Sequence, residues 1–265
     1  PKAVIVVHLY GICAKIEPIA QICKKYRVSL IEDAAESLGT TYKGKYTGTF
    51  GDYGIISFNG NKIITSSGGG MLLINTEDAK ERAREVLFLA TQAREAQRWY
   101  QHAQIGYNYR MSNVVAGIGR GQLKVLDQRV EQKRAIYEYY RKHIGDLKGL
   151  SMMPQSREAY SNCWLSAIQL DDGCRVGPFD IMDALLADDV ESRPIWKPLH
   201  LQPVFADCDF VTEKEGLHMV DERIGADNSA AGTIFLRGVC MPSDTKMTER
   251  DLERVCGVVR KLWKM

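Results

Sequence analysis

Two apolar runs, AVIVVH (residues 3–8) and VSLIE (28–32), flank a stretch in which Ile16, Ile19, Ala20, Ile22, Cys23 and Tyr26 recur at helical spacing. Strand, helix and strand in so short a span predict a βαβ unit with the two strands parallel neighbours. Neither run alternates with polar residues, so burial on both faces is expected. The fold class that follows is α/β, with ligands expected outside the carboxyl ends of the parallel strands. Because a core strand opens the chain with no lead-in, further polypeptide upstream is also expected.

The rest of the chain continues the alternation. Residues 42–53 are rich in Gly, Tyr, Lys and Thr and read as a loop or hairpin. Strands are expected at 54–58 and 71–75, the second entered through three glycines at 68–70. Thr76 is placed as the N-cap of a helix reaching about residue 90, with Glu77 and Asp78 in its first turn. Ser112 caps a Pro-free helical pattern that extends to Ile144, a single long helix suited to joining two domains. A strand is expected at 164–170. A last helix has a capping box at Thr248 and Asp251 and a stripe of Leu252, Val255, Cys256, Val259 and Leu262. The expected division is a larger domain over 1–135 and a smaller one over 136–265.

An acid and a lysine stand out against this frame. In SLIEDAAES (29–37) an apolar strand ends on Asp33 and two small residues. In ISFNGNK (56–62) another strand ends on Ser57, followed by a small polar turn and Lys62. An acid at one strand end and a lysine just past the next are what pyridoxal phosphate requires: the acid holds a proton on the pyridine nitrogen and the lysine forms a Schiff base. Asp33 could equally cap a turn, and Glu32 could be the functional acid, although strand alternation lets only one of the two face a given ligand. Ala34 and Ala35 would let a flat ring approach the backbone. Asn59-Gly60-Asn61 is a tight turn that aims Lys62 back over the strand ends, and Ser57 offers a hydroxyl to a phosphate.

Other functions are disfavoured. With 35 basic and 33 acidic residues spread along the chain, there is no basic stripe for a nucleic acid. No apolar stretch is long enough to span a bilayer. The seven cysteines form no CxxC pair and have no histidine cluster, so no metal site is expected; reduced thiols in a cytoplasmic protein are the simplest account. Gly117, Gly119 and Gly121 lie within a helical pattern and lack the last glycine of a dinucleotide fingerprint, which leaves close helix packing as their expected role.

On these residues the chain resembles the DegT/DnrJ/EryC1/StrS family of sugar-nucleotide aminotransferases. The likeness is carried by VVHLYG (6–11), IEDAAES (31–37), GTFGDYGIISFNGNKI (48–63), GGGM (68–71), TQARE (91–95), GYNYRMSN (106–113), RPIWKPLHLQPVF (193–205) and RGVCMPS (237–243). It implies an aspartate-aminotransferase-like fold, a mostly parallel sheet between helices with a smaller C-terminal α/β domain. Within the family it is most similar to the branch that aminates C4 of a UDP-linked 4-keto-6-deoxy N-acetylhexosamine, as in bacillosamine synthesis. The resemblance implies Lys62 as the Schiff-base lysine, Asp33 as the partner of the pyridinium nitrogen, and Ala35, Glu36 and Ser57 around the cofactor. Asn108 is implied to reach the cofactor phosphate of a second subunit, which makes the protein a homodimer with a shared site. His200, Arg193, Trp196 and Arg94 fall in segments implied to line the sugar-nucleotide site. Glutamate is the implied amino donor and a nucleotide-linked keto sugar the acceptor.

Two departures from the family pattern bear on this. Many members have Gln where this chain has Glu36. The family's phosphate-binding Thr/Ser turn and its ring-stacking aromatic would precede residue 1. Two alternatives to the aminotransferase therefore stand beside it: a non-catalytic remnant of the same fold, and a sugar dehydratase, in which histidine replaces the lysine.

Overall fold

The structure, a computed structural model, describes residues 1–211 and 229–264. In chain order its elements are β1 (Ala3–Val7), α1 (Ile16–Tyr26), β2 (Ser29–Asp33), β3 (Thr41–Tyr42), β4 (Lys45–Tyr46), β5 (Tyr53–Ser57), β6 (Gly70–Ile74), α2 (Ala79–Ala90), α3 (Asn113–Leu123), α4 (Leu126–Ile144), β7 (Leu150–Met152), β8 (Ala159–Tyr160), β9 (Ser166–Leu170), α5 (Pro178–Leu186), β10 (Arg193–Pro194), α6 (Ala230–Arg237), β11 (Gly238–Met241) and α7 (Glu249–Leu262). They divide into two units. One comprises residues 1–134 with 155–164, the other residues 135–154 with 165–265. The division falls inside α4, and the chain returns to the first unit for ten residues before continuing the second. β8 explains the return, because it pairs antiparallel with β3.

The first unit is built on a sheet of order β1-β2-β5-β6. The predicted βαβ unit is present: β1 and β2 are parallel, β2 and β5 are parallel, and β6 closes the edge antiparallel. α1 is amphipathic and buries Ile16 and Cys23 against Leu30, with Val4 and Val6 packed alongside. Burial on both faces is not observed. Ile5 is 64% exposed, and Val7 and Ile55 are exposed as well. The continuous apolar runs therefore have one covered face and one open face among the described residues. The register puts Ile5, Val7, Ile31, Asp33, Ile55 and Ser57 on the open face, because these positions share one parity across paired strands.

Three local expectations are corrected. α2 begins at Ala79 with Asp78 in the cap position, not Thr76, and the Asp78 carboxylate turns to Arg82 one turn on. The single long helix is two. Ser112 does cap α3, accepting from the Val115 N–H at 3.3 Å, but the chain tightens after Leu123. There the Val125 N–H bonds the Gln122 carbonyl, three residues back, and α4 starts afresh. Three glycines in the preceding turn and a half weaken the helical preference just where the break falls. Two of those glycines do not serve close packing among the described residues: a methyl group on Gly117 or Gly121 would meet nothing within 4 Å, while one on Gly119 would stand 3.7 Å from Ser66 Cβ.

The second unit has an antiparallel sheet of order β10-β11-β9-β7. Tyr140, Ile168, Ile181, Val239, Val255 and Val259 lie at the centre of its core. α7 carries the predicted capping box, with Thr248 accepting from the Asp251 N–H at 3.3 Å. It buries Leu252, Val255, Cys256 and Val259 on one face, about 1.5–3 kcal/mol for each large aliphatic side chain. No helix of the described residues is long and apolar enough to cross a membrane.

Candidate active site

Strand alternation separates the two acids of β2. Glu32 turns to the covered face and is completely buried. Its carboxylate accepts the backbone N–H groups of Gly48, Phe50 and Gly51 at 2.8, 2.5 and 2.6 Å, and His8 Nε2 lies 3.0 Å away. The Ala14 N–H donates to His8 Nδ1, which fixes the ring proton on Nε2, where it is donated to Glu32. Burial pushes the Glu32 carboxyl up, but the hydrogen bonds from His8 and the loop amides outweigh it and hold it below the ordinary value. Glu32 is therefore the anchor of the 48–51 loop.

Asp33 turns to the opposite face, half-buried, at the carboxyl end of a parallel strand. Its Oδ1 accepts the Ala35 N–H at 3.1 Å, so part of the turn-capping role is realised. Among the described residues Oδ2 takes no hydrogen bond. The turn after β2 brings Glu36 back over the strand ends, 8% exposed. The Tyr10 N–H donates to Glu36 Oε2 at 2.7 Å, made possible by a left-handed Tyr10 (φ 57°).

Lys62 reaches the same place from β5. Its N–H closes the 59–62 turn on the Asn59 carbonyl at 3.1 Å. Its Nζ lies 3.7 Å from Glu36 Oε1 and 4.4 Å from the centre of the Trp164 ring. Burial raises the Glu36 carboxyl above its ordinary value. The Tyr10 amide and the Lys62 charge pull it down, and the Asp33 charge raises it again. Glu36 thus registers both Lys62 and Asp33, which ties the three ionisable groups to one locus. Ser57 lies two positions beyond Ile55, the register partner of Asp33, and its Oγ accepts the Asn59 N–H at 3.3 Å. The glycine run is explained by backbone approach: Gly69 has φ +84°, and a methyl on Gly70 would stand 2.5 Å from the Ile56 carbonyl oxygen.

Asn108 and Arg94, the other predicted residues of the first unit, make contacts of their own. Asn108 is exposed and pairs through its backbone with Thr91. The Arg94 guanidinium covers the Tyr100 ring at 4.2 Å. Among the described residues, no hydrogen bond, ion pair or ring contact joins either one to Asp33, Glu36 or Lys62. His200, Arg193 and Trp196 lie in the second unit. His200 stacks on Phe210 at 3.6 Å, with Ser229 Oγ 3.4 Å from its Nε2. Arg193 pairs with Glu191 on the surface, and Trp196 is 43% exposed.

Two residues of the site have no counterpart in the sequence reading. Asn162, fully buried, donates from Nδ2 to the carbonyls of Glu36 and Leu38, both at 2.9 Å, and accepts the Trp164 N–H at 2.9 Å. Trp164, 1% exposed, donates its indole N–H to the Asn61 carbonyl at 2.8 Å. The only local signal was a polar pair, Ser161-Asn162, ahead of an apolar strand.

An amine, an acid at a strand end, two small residues and a hydroxyl at the carboxyl ends of β2 and β5 suit a flat ring that carries a basic nitrogen, a carbonyl and a phosphate.

Comparison with known proteins shows the family. The sequence profile described as the DegT/DnrJ/EryC1/StrS aminotransferase family matches residues 1–260. A Bacillus subtilis protein named for pyridoxal phosphate-dependent amino transfer, EpsN, is 49% identical over 99% of this chain and 64% of its own length. A GDP-perosamine synthase of Vibrio cholerae is 34% identical over 98% of this chain and 66% of its own. The crystal structure of the aminotransferase TlmJ from Streptoalloteichus hindustanus superposes with a TM-score of 0.81 at 27% identity, covering 98% of this chain and 65% of that one. The chain thus spans just under two thirds of the length of each of these three relatives.

Proposed function

Because this chain belongs to the DegT/DnrJ/EryC1/StrS aminotransferase family, we propose that it carries the reactive half-site of a pyridoxal phosphate-dependent aminotransferase whose amino acceptor is a nucleotide-linked 4-keto-6-deoxy sugar and whose donor is glutamate. The observation that carries the reading is the convergence of Lys62, Glu36 and Asp33 at the ends of two neighbouring strands. The nucleotide part of the substrate is supported by a relative whose name carries a nucleoside diphosphate, GDP-perosamine synthase.

When bound, the cofactor supplies a carbonyl for amines and an electron-withdrawing ring. Lys62 Nζ would hold it and move the proton at the substrate carbon. Asp33 would accept the pyridinium N–H through its available oxygen. Glu36 and Ala35 would border the ring, Ser57 would bond a phosphate oxygen, and Asn108 would serve the phosphate across a homodimer. His200, Arg193, Trp196 and Arg94 are assigned to the sugar nucleotide. The dehydratase alternative loses ground because position 62 is lysine.

The test is direct. Incubation with pyridoxal phosphate and borohydride should fix the cofactor on the peptide containing Lys62. Label on other lysines only, or none, sinks the proposal. Amino transfer from glutamate to a panel of keto-sugar nucleotides then reads the acceptor.

A further inference from the structure

Lys62 is held at both ends by one buried side chain. The Trp164 ring lies 4.4 Å from the Lys62 ammonium, within the range in which an aromatic face attracts a cation. The indole N–H of the same residue donates to the carbonyl of Asn61, the peptide that leads into Lys62, at 2.8 Å. We infer that Trp164 is a positioning residue for Lys62, fixing its backbone through the indole N–H and its amine through the ring face.

The ring has its own reference point. The Trp164 backbone N–H donates to Asn162 Oδ1, and Asn162 Nδ2 donates to the backbone carbonyls of Glu36 and Leu38. Indole and carboxylate are therefore set by one network, and the amine is held between them, 3.7 Å from Glu36 Oε1. A free lysine side chain samples many rotamers, and restricting them beforehand lowers the cost of reaching a reactive geometry. This inference rests on the reading of Lys62 as the cofactor-bearing amine, but the geometry of the amine can be read without any cofactor.

The experiment uses the 265-residue chain labelled with [ε-13C]lysine. Lys62→Ala assigns the Lys62 resonance by its loss. Over an indole face the ε-protons are shifted upfield. The shift should be present in the wild type, retained in part in Trp164→Phe, and lost in Trp164→Leu. Borohydride trapping of pyridoxal phosphate at Lys62 should slow about tenfold in Trp164→Leu and be largely restored in Trp164→Phe. An unshifted wild-type resonance overturns the inference, even if Trp164→Leu fails to fold. So does a Trp164→Leu protein that traps cofactor at the wild-type rate. A wild type that traps no cofactor at Lys62 removes the functional proposal alone, because the resonance comparison still decides the role of Trp164.

Discussion

The Lys62 ammonium and the Glu36 carboxyl lie 3.7 Å apart, with side chains only 12% and 8% exposed, and they approach from the ends of different strands. A pair so shielded from water is sensitive to the loss of either member, because the other is left buried without compensation.

Removing the amine should therefore have two effects. Lys62→Ala is expected to abolish amino transfer and cofactor fixation. It should also raise the Glu36 carboxyl further, because the lysine charge is one of the influences that lower it. Turnover assays and 13C titration of glutamate side chains read the two effects separately.

Asp33→Asn separates chemistry from folding. An amide oxygen can still accept the Ala35 N–H, so stability should change by no more than about 0.5 kcal/mol. The amide cannot hold a cationic ring nitrogen as a carboxylate does, so most activity should disappear. Urea denaturation beside a glutamate-dependent assay checks both halves.

Glu36 and Glu32 should bend the stability curve in opposite directions. The Glu36 carboxyl is raised in the folded protein, so its contribution is complete below its ordinary value of 4.5 and fades as pH climbs through the higher folded value. Glu36→Gln should remove that fading. Glu32 is lowered, so its contribution is present above 4.5 and is lost as pH drops through the folded value. Denaturation midpoints of the wild type and of each glutamine variant, taken from about pH 3 to about pH 7, test both signs. At neutral pH, Glu32→Gln should cost about 2–4 kcal/mol, since an amide NH2 would face loop N–H donors.

Asn162→Asp should be among the most damaging small changes in the first unit. It replaces two donated hydrogen bonds with a carboxylate facing the Glu36 and Leu38 carbonyls, in a completely buried position. A loss of about 3 kcal/mol is expected by thermal or urea unfolding; Asn162→Ser should cost less, because it adds no charge.

The readable parts of this molecule were those with a periodic or positional signature. Ile16 and Cys23 gave α1 its period, Ser112 and Thr248 marked helix starts, and two strands end at Asp33 and Ser57 as expected. The misreadings have physical causes. Ile5 and Ile55 are as apolar as core residues, and composition does not tell whether a neighbour covers them. The break after Leu123 depends on a single tightened turn. Asn162 and Trp164 act on Glu36 and Asn61 from more than 100 positions away, and no local pattern encodes such a partner.

The excursion of residues 155–164 has a consequence for anyone who would cut this molecule. No single break in the gene divides the two units. An N-terminal fragment ending inside α4 would encode all four strands of the β1-β2-β5-β6 sheet together with Asp33, Glu36 and Lys62, yet lack the tryptophan and asparagine that steady them. Recombination between relatives should accordingly tolerate crossovers outside 1–164 better than crossovers within that span, with the retained fraction of soluble chimeras as the measure.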